Sequence, residues 1–365
     1  MKQRISRIKQ LPATGLLAMM LICLSPNILN AAENNERNGS TENNKEVTFV
    51  RLSSDQYRNA IHDIFGESIL VRGNGSSSGV REAGLMAVGE RRLTLSASEV
   101  ESYELLALDI ANQVLHPSRR RTLLHCTPQN EKTLDNECAA QFITTVGLHL
   151  FRRPLSKNEI DAYVEIARSA TESLSDFFFG LQAALVGMMV SPDFLFRIER
   201  SVPNPESPST RQLDTWSRAS RLSFFLWDTT PSPALLEAAR SGELMFDEGL
   251  NQQIERMMTS PRIEDGLRAF FADMLAFDRF DTLDIDSNLY PRFTKNVEDE
   301  AREQTLLTIA DQLLNKKADY RDLFDSRQTF LTPALAALYG VPIPIRQELG
   351  GKVPWVPYEY PENHA

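Results

Sequence analysis

Phe177-Phe-Phe-Gly-Leu-Gln-Ala-Ala-Leu-Val-Gly-Met-Met-Val190 is apolar on most of its sides. A helix without a polar face belongs at the centre of a bundle, so this stretch decides the fold class. Gly180 and Gly187 lie seven residues apart within it, which predicts close helix packing there. Upstream, Ser156 and Glu159 form a capping box ahead of Ile160, Tyr163, Val164 and Ala167. A helix from about Asp135 to Leu150 turns Cys138, Phe142, Val146 and Leu150 to one side. Ser96 with Glu99, and Ser53 with Gln56, cap two earlier helices, and Gly66 stands where the first should stop. Downstream, helices are predicted over Asp214–Trp227, Ser232–Ser241, Asp247–Thr259, Pro261–Phe277 and Thr294–Asn315, with a short one from Thr332-Pro333 to Gly340. Pro261 and Pro333 are read as first helical positions, where a missing N–H is harmless. No alternating strand run and no internal repeat stands out. The expected fold is all-α, a multi-helix bundle in two or three packed helical subdomains with no substantial sheet.

The division follows composition. Residues 1–32 read as a signal peptide: Lys2, Arg4, Arg7 and Lys9 precede an apolar stretch from Leu16 to Leu24, and Ala31-Ala32 offers a small-residue cleavage site. Pro26, Asn27 and the shortness of the apolar run argue against an anchoring helix. Ile22 before Cys23 argues against lipidation. Residues 33–47 are polar, a disordered tether. A first helical segment then covers 48–118 and a second helical domain 119–200. Residues 201–211, with three prolines, read as a linker, 212–340 as a third helical domain, and 341–365, with five prolines, as a tail without helix. The Gly/Ser-rich stretch Gly73–Gly79 lacks the ending of a phosphate-binding loop and reads as a flexible loop. No segment after the signal peptide is apolar enough to cross a membrane.

Removing residues 1–32 removes four positive charges and no acid, taking the formal charge from −10 to −14. That does not suit nucleic-acid binding, which needs a basic footprint, though it would steer the chain toward a basic partner. The expected location is periplasmic or secreted. Cys126 and Cys138 then remain, and an even count in an oxidising compartment favours a disulfide. The competing readings are haem attachment, which wants a Cys-x-x-Cys-His string that is absent, and a zinc site, for which only His125 is adjacent. No covalently bound cofactor and no metal site is expected.

No histidine pair has the spacing of a helical metal site, and no Gly-x-Ser-x-Gly elbow occurs. His149 and His62 read as ordinary helix residues. Asp278, Asp281, Asp284 and Asp286, followed by Glu298, Asp299, Glu300 and Glu303, are the densest carboxylates. Calcium binding and paired-carboxylate glycoside hydrolysis are the sharp readings. A solvated acidic face with acids at a helix start is the plain one. Arg152-Arg153-Pro154 is the most pointed charged motif: adjacent guanidiniums at a helix junction can clamp a carboxylate or a phosphate. The competing reading is that they pair with acids of neighbouring helices. Trp227 is the candidate aromatic contact, with a core role as its alternative.

Three short runs are the most distinctive: Phe151-Arg-Arg-Pro-Leu-Ser-Lys-Asn-Glu159, Ser191-Pro-Asp-Phe-Leu-Phe-Arg-Ile-Glu199 and Ser220-Arg-Leu-Ser-Phe-Phe-Leu-Trp227. With Leu52-Ser-Ser-Asp-Gln-Tyr57, Ile64-Phe-Gly66 and the Leu331–Gly340 segment, they resemble a family of secreted bacterial proteins first noted in planctomycetes. That family is built from consecutive domains of unknown function (1587, 1595 and 1592). The resemblance covers most of the chain beyond residue 47. It implies an exported, largely helical protein associated with c-type cytochrome segments, and carries over no reaction. The function expected from it is an accessory or interaction module of a periplasmic c-type cytochrome-linked redox system, the partner being such a cytochrome or another envelope protein. Arg152 and Arg153 would be its contacts. A hydrolase acting on an extracellular polysaccharide and a structural envelope protein are the alternatives.

Overall fold

The computed structural model describes residues 47–344 and 355–362, apart from 74, 76–78, 91–93, 125, 205–206, 283–284 and 287. The expected signal peptide and residues 33–46 of the expected tether lie outside the described residues, as do His125, Asp284, and parts of the Gly/Ser loop and of the C-terminal tail.

Helices dominate, and their starts follow the capping chemistry. Capping boxes form at Ser53/Gln56, Ser96/Glu99 and Ser156/Glu159, opening α1 (Ser54–Phe65), α2 (Ala97–Val114) and α4 (Lys157–Leu174). Between the last two lies α3 (Asn136–Phe151), capped by Asp135. The decisive stretch is α5 (Phe177–Met189), with nine of its thirteen residues buried. It packs on α2, α3 and α4. A Cβ at Gly180 would stand 2.5 Å from the Ala167 carbonyl oxygen of α4, whereas one at Gly187 would meet only ordinary contacts from 3.6 Å. The close approach is therefore at one of the two glycines.

Residues of α1 and α2 share a single core with those of α3, α4 and α5, from Tyr57 to Leu195. The stretches 48–118 and 119–200 thus fill one hydrophobic interior. Cys126 and Cys138 are bridged, with Cα atoms 5.6 Å apart, and the bridge ties the loop before α3 to its first turn.

Strands are the main departure from the all-α expectation. Val47–Arg51 is β1, pairing antiparallel with Phe196–Arg200 of β2 (Phe196–Asn204). The other half of β2 pairs with β3 (Ser207–Leu213), through Ser201 opposite Leu213 and Pro203 opposite Arg211. The expected linker at 201–211 is therefore most of a hairpin, and Val47 belongs to a strand. Pro203 is tolerated in the strand because the pairing has an irregularity directly after it. Helix resumes with α6 (Thr215–Leu226), α7 (Pro233–Ser241), α8 (Asp247–Met258) and α9 (Ile263–Met274), with Pro261 two residues ahead of α9 rather than in its first position. Helices α6 to α8 enclose a second core around Trp227, Leu235 and Leu244. A third, around Val297, Leu331 and Leu335, joins α10 (Lys295–Ala310), β4 (Gln328–Leu331), α11 (Pro333–Tyr339) and β5 (Val356–Glu359). The C-terminal tail thus supplies a strand, antiparallel to β4, and Trp355, Tyr358 and Tyr360 pack on that core. No described helix is long and apolar enough to cross a membrane.

Candidate functional site

The three distinctive runs converge. α3 ends at Phe151, and Arg152 takes a left-handed backbone (φ 58°) that turns the chain. The turn delivers the Arg152 side chain inward, where it is 3 % exposed. Its guanidinium donates to the carbonyls of Asp193 (2.6 Å), Phe194 (3.3 Å) and Phe196 (2.7 Å), all in the second run. It also lies 5.8 Å from the centre of the Phe224 ring, in the third run. Every one of these acceptors is neutral. Burial, followed by the like charge of Arg197, lowers its pKa to about 9, and it stays charged at neutral pH.

Arg153 is paired instead. It donates to both Glu159 oxygens (2.7 and 3.1 Å) and to Asp193 (2.7 Å). Burial alone would raise the Glu159 carboxyl. Hydrogen bonds from Arg153 and from the Ser156 cap outweigh it and hold that group at about 2. Glu199, 2 % exposed, accepts from Arg221 of α6 and so joins the second run to the third.

A cavity of about 20 Å3 opens beside this junction. Its wall includes Arg152, Arg153, Asp193, Arg200, Trp216 and Ser220. Arg152 and Arg153 are thus brought to one site, where Phe151 and Trp216 are the aromatic residues of the wall and Trp227 is not among them. Trp227 sits 6 % exposed in the second core, its indole N–H donating to the Met257 carbonyl (3.1 Å) beneath the Arg262 guanidinium, 4.7 Å from the ring centre. The missed residues had a signal. Ser217, Ser220 and Ser223 recur every third residue on α6, and all are buried. Ser217 accepts from the Arg200 N–H (2.8 Å) and Ser223 donates to the Thr230 carbonyl (3.0 Å). The Ser220 hydroxyl has no hydrogen-bond partner among the described residues.

A second polar seam joins α1 to the turn after α6. Gln56, Asn59 and Asp63 follow one another at helical spacing along one side of α1. Gln56 donates to the Asp228 carboxyl (2.8 Å), Asn59 to the Asp228 carbonyl (3.1 Å), and Thr229 and Arg262 both donate to Asp63 (2.7 and 2.5 Å). Asp228 has a left-handed backbone, φ 53°. The residue keeps some exposed surface, yet protein surrounds its carboxyl closely enough that burial pushes it up to about 7, against the Gln56 hydrogen bond. A carboxyl raised in the folded state binds a proton that the unfolded chain releases nearer 3.8. Its contribution is complete below that value and is lost as pH rises through about 7. Asp228→Asn should therefore flatten the fall in stability between those limits and make the protein more stable than the parent at pH 8, measured by urea unfolding across pH. An unchanged pH profile would remove Asp228 as its source.

The acidic stretch is engaged internally. Asp278 accepts from Arg81, Glu298 pairs with Arg302 (3.2 Å), Glu303 with Arg268 (3.0 Å), and Glu300 accepts from Thr332. Among the described residues no group of three or more His, Cys, Asp or Glu side chains is arranged to hold a metal. His149 lies partly buried on α3, and burial lowers its pKa.

One exposed group of side chains is aromatic. Phe270, Phe271, Tyr320 and Phe324 form a continuous chain of rings, with successive centres 5.3, 6.1 and 5.5 Å apart. Phe271 is buried, while Phe270, Tyr320 and Phe324 are 49, 44 and 74 % exposed. Asp319, Asp322 and Asp325 are close in sequence to the last two rings, Asp319 being paired with Arg321 (2.6 Å).

Residues 213–341 match the family model PSD4, protein of unknown function (DUF1592), and residues 138–199 match PSD5, protein of unknown function (DUF1595). These matches, which take in all three distinctive runs, support the resemblance to planctomycete-type domains of unknown function. No curated protein and no solved structure matches the chain.

Proposed function

We propose that this chain is an exported accessory module that binds a partner in a periplasmic, c-type cytochrome-linked redox system. The observation that carries the reading is the ring chain Phe270–Phe271–Tyr320–Phe324, in which Phe270, Tyr320 and Phe324 are exposed around the buried Phe271. Large aromatic side chains gathered in solvent are characteristic of interaction surfaces. The acids beside them and the formal charge of −10 favour a partner with a basic rim. The basic and apolar start of the chain and its disulfide fit an oxidising compartment outside the cytoplasm. In this reading Leu52–Gly66 corresponds to the first domain of the same family. The polysaccharide-hydrolase alternative draws less support, because Glu298, Glu300 and Glu303 are each held by another side chain.

The test is affinity capture of the tagged chain from the native envelope after mild cross-linking, with a haem stain on the captured proteins. A c-type cytochrome should be recovered with the parent and lost with the double variant Tyr320→Ala, Phe324→Ala, whose circular dichroism stays that of the parent. Recovery of no haem protein, or equal recovery by both, would overturn the proposal.

A further inference from the structure

The cavity beside the Arg152 turn has more positive charge than its own carboxylates answer. Arg152, Arg153 and Arg200 reach it, and Glu159 and Asp193 are the acids that pair there. Arg152 itself is bonded to carbonyls alone. The excess is one positive charge, in a chain whose formal charge is −10. Two donors in the same wall also lack acceptors: the Ser220 hydroxyl, on a residue 6 % exposed, and the buried Arg153 Nε–H. Buried donors nearly always find an acceptor. A lone water would accept from both but would leave the charge unanswered. At about 20 Å3 the space admits one or two oxygen-sized atoms, so only the oxygens of an anionic group would enter it and the rest of the molecule would lie outside, which a tetrahedral dianion does not allow. Trp216 offers an apolar wall for whatever carries that group.

We infer that this cavity binds the carboxylate of a small organic acid, its oxygens accepting from Ser220 Oγ–H and Arg153 Nε–H while its charge answers Arg152. The site is independent of the aromatic surface and of the partner bound there. The probe is sodium propionate, titrated into the full chain at constant ionic strength with sodium chloride as make-up, reading tryptophan emission and melting temperature. A saturable response is expected, its emission component lost in Trp216→Phe. Its midpoint should rise about tenfold in Ser220→Ala, as fits loss of one hydrogen bond to a charged group. Both variants should melt as cooperatively as the parent. The inference fails if propionate gives no saturable response, or if Ser220→Ala responds at the parent's midpoint. It fails equally if sodium phosphate at matched ionic strength acts at lower concentration than propionate.

Discussion

Replacing Arg152 by Met lowers the unfolding free energy by about 4 kcal/mol, the largest effect expected of any single substitution at the junction. Met keeps most of the apolar stem but removes every donor. The carbonyls of Asp193, Phe194 and Phe196, which Arg152 gathers at the entrance to β2, then lose that partner. A buried polar group left unsatisfied costs about 1–3 kcal/mol. Part of this is offset, because a buried charge is no longer held away from water. Arg153→Met is the internal comparison. Its partners Glu159 and Asp193 keep 30 and 25 % of their side-chain surface in solvent and can rehydrate. Its loss should therefore stay near about 1–2 kcal/mol. Urea unfolding with unchanged m-values separates the two. If Arg152→Met were no worse than Arg153→Met, Arg152 would not be what holds the turn.

Opening the Cys126–Cys138 bridge is the second large effect. The cysteines are 12 residues apart, and closing a loop of that size restricts the unfolded chain by about 3 kcal/mol. Cys138 is 3 % exposed inside the shared core, and the bridge lies beside Asp135, which caps α3. Its loss should be felt across α1 to α5 rather than locally. Comparison of the oxidised protein with the Cys126→Ser, Cys138→Ser variant in urea measures it. A difference below about 1 kcal/mol would mean that the unfolded chain is already restricted there.

The helices were legible because their signals are local. Ser53/Gln56, Ser96/Glu99 and Ser156/Glu159 satisfy helix-end N–H groups within four residues, so no knowledge of the fold is needed to place them. The apolar faces of α1 and α2 follow the same logic, since their period is local too. The strands could not be read in the same way. Val47–Arg51 becomes β1 only through Phe196–Arg200, roughly 150 residues further on, and strand preference follows from such neighbours. The candidate site divides likewise. Arg152 and Arg153 stand out as a string of charge, but what they touch depends on where α6 packs. Trp216 lies in the first turn of α6 and Trp227 follows its end; Trp216 lines the cavity at the Arg152 turn, whereas Trp227 is held in the second core.

Read alone, the chain determined its capped helices and the pairing of its two cysteines beyond the amino-terminal segment. Each depends on chemistry between residues close in sequence or on a count. Tertiary structure alone decided that 48–118 and 119–200 share one interior, that 201–204 pairs with 207–213, that Asp228 meets Gln56 and Asn59, and that the Ser220 hydroxyl faces a cationic cavity without a partner among the described residues. These are contacts between segments far apart in the chain. Their energies come from burial and charge that exist only once those segments have packed.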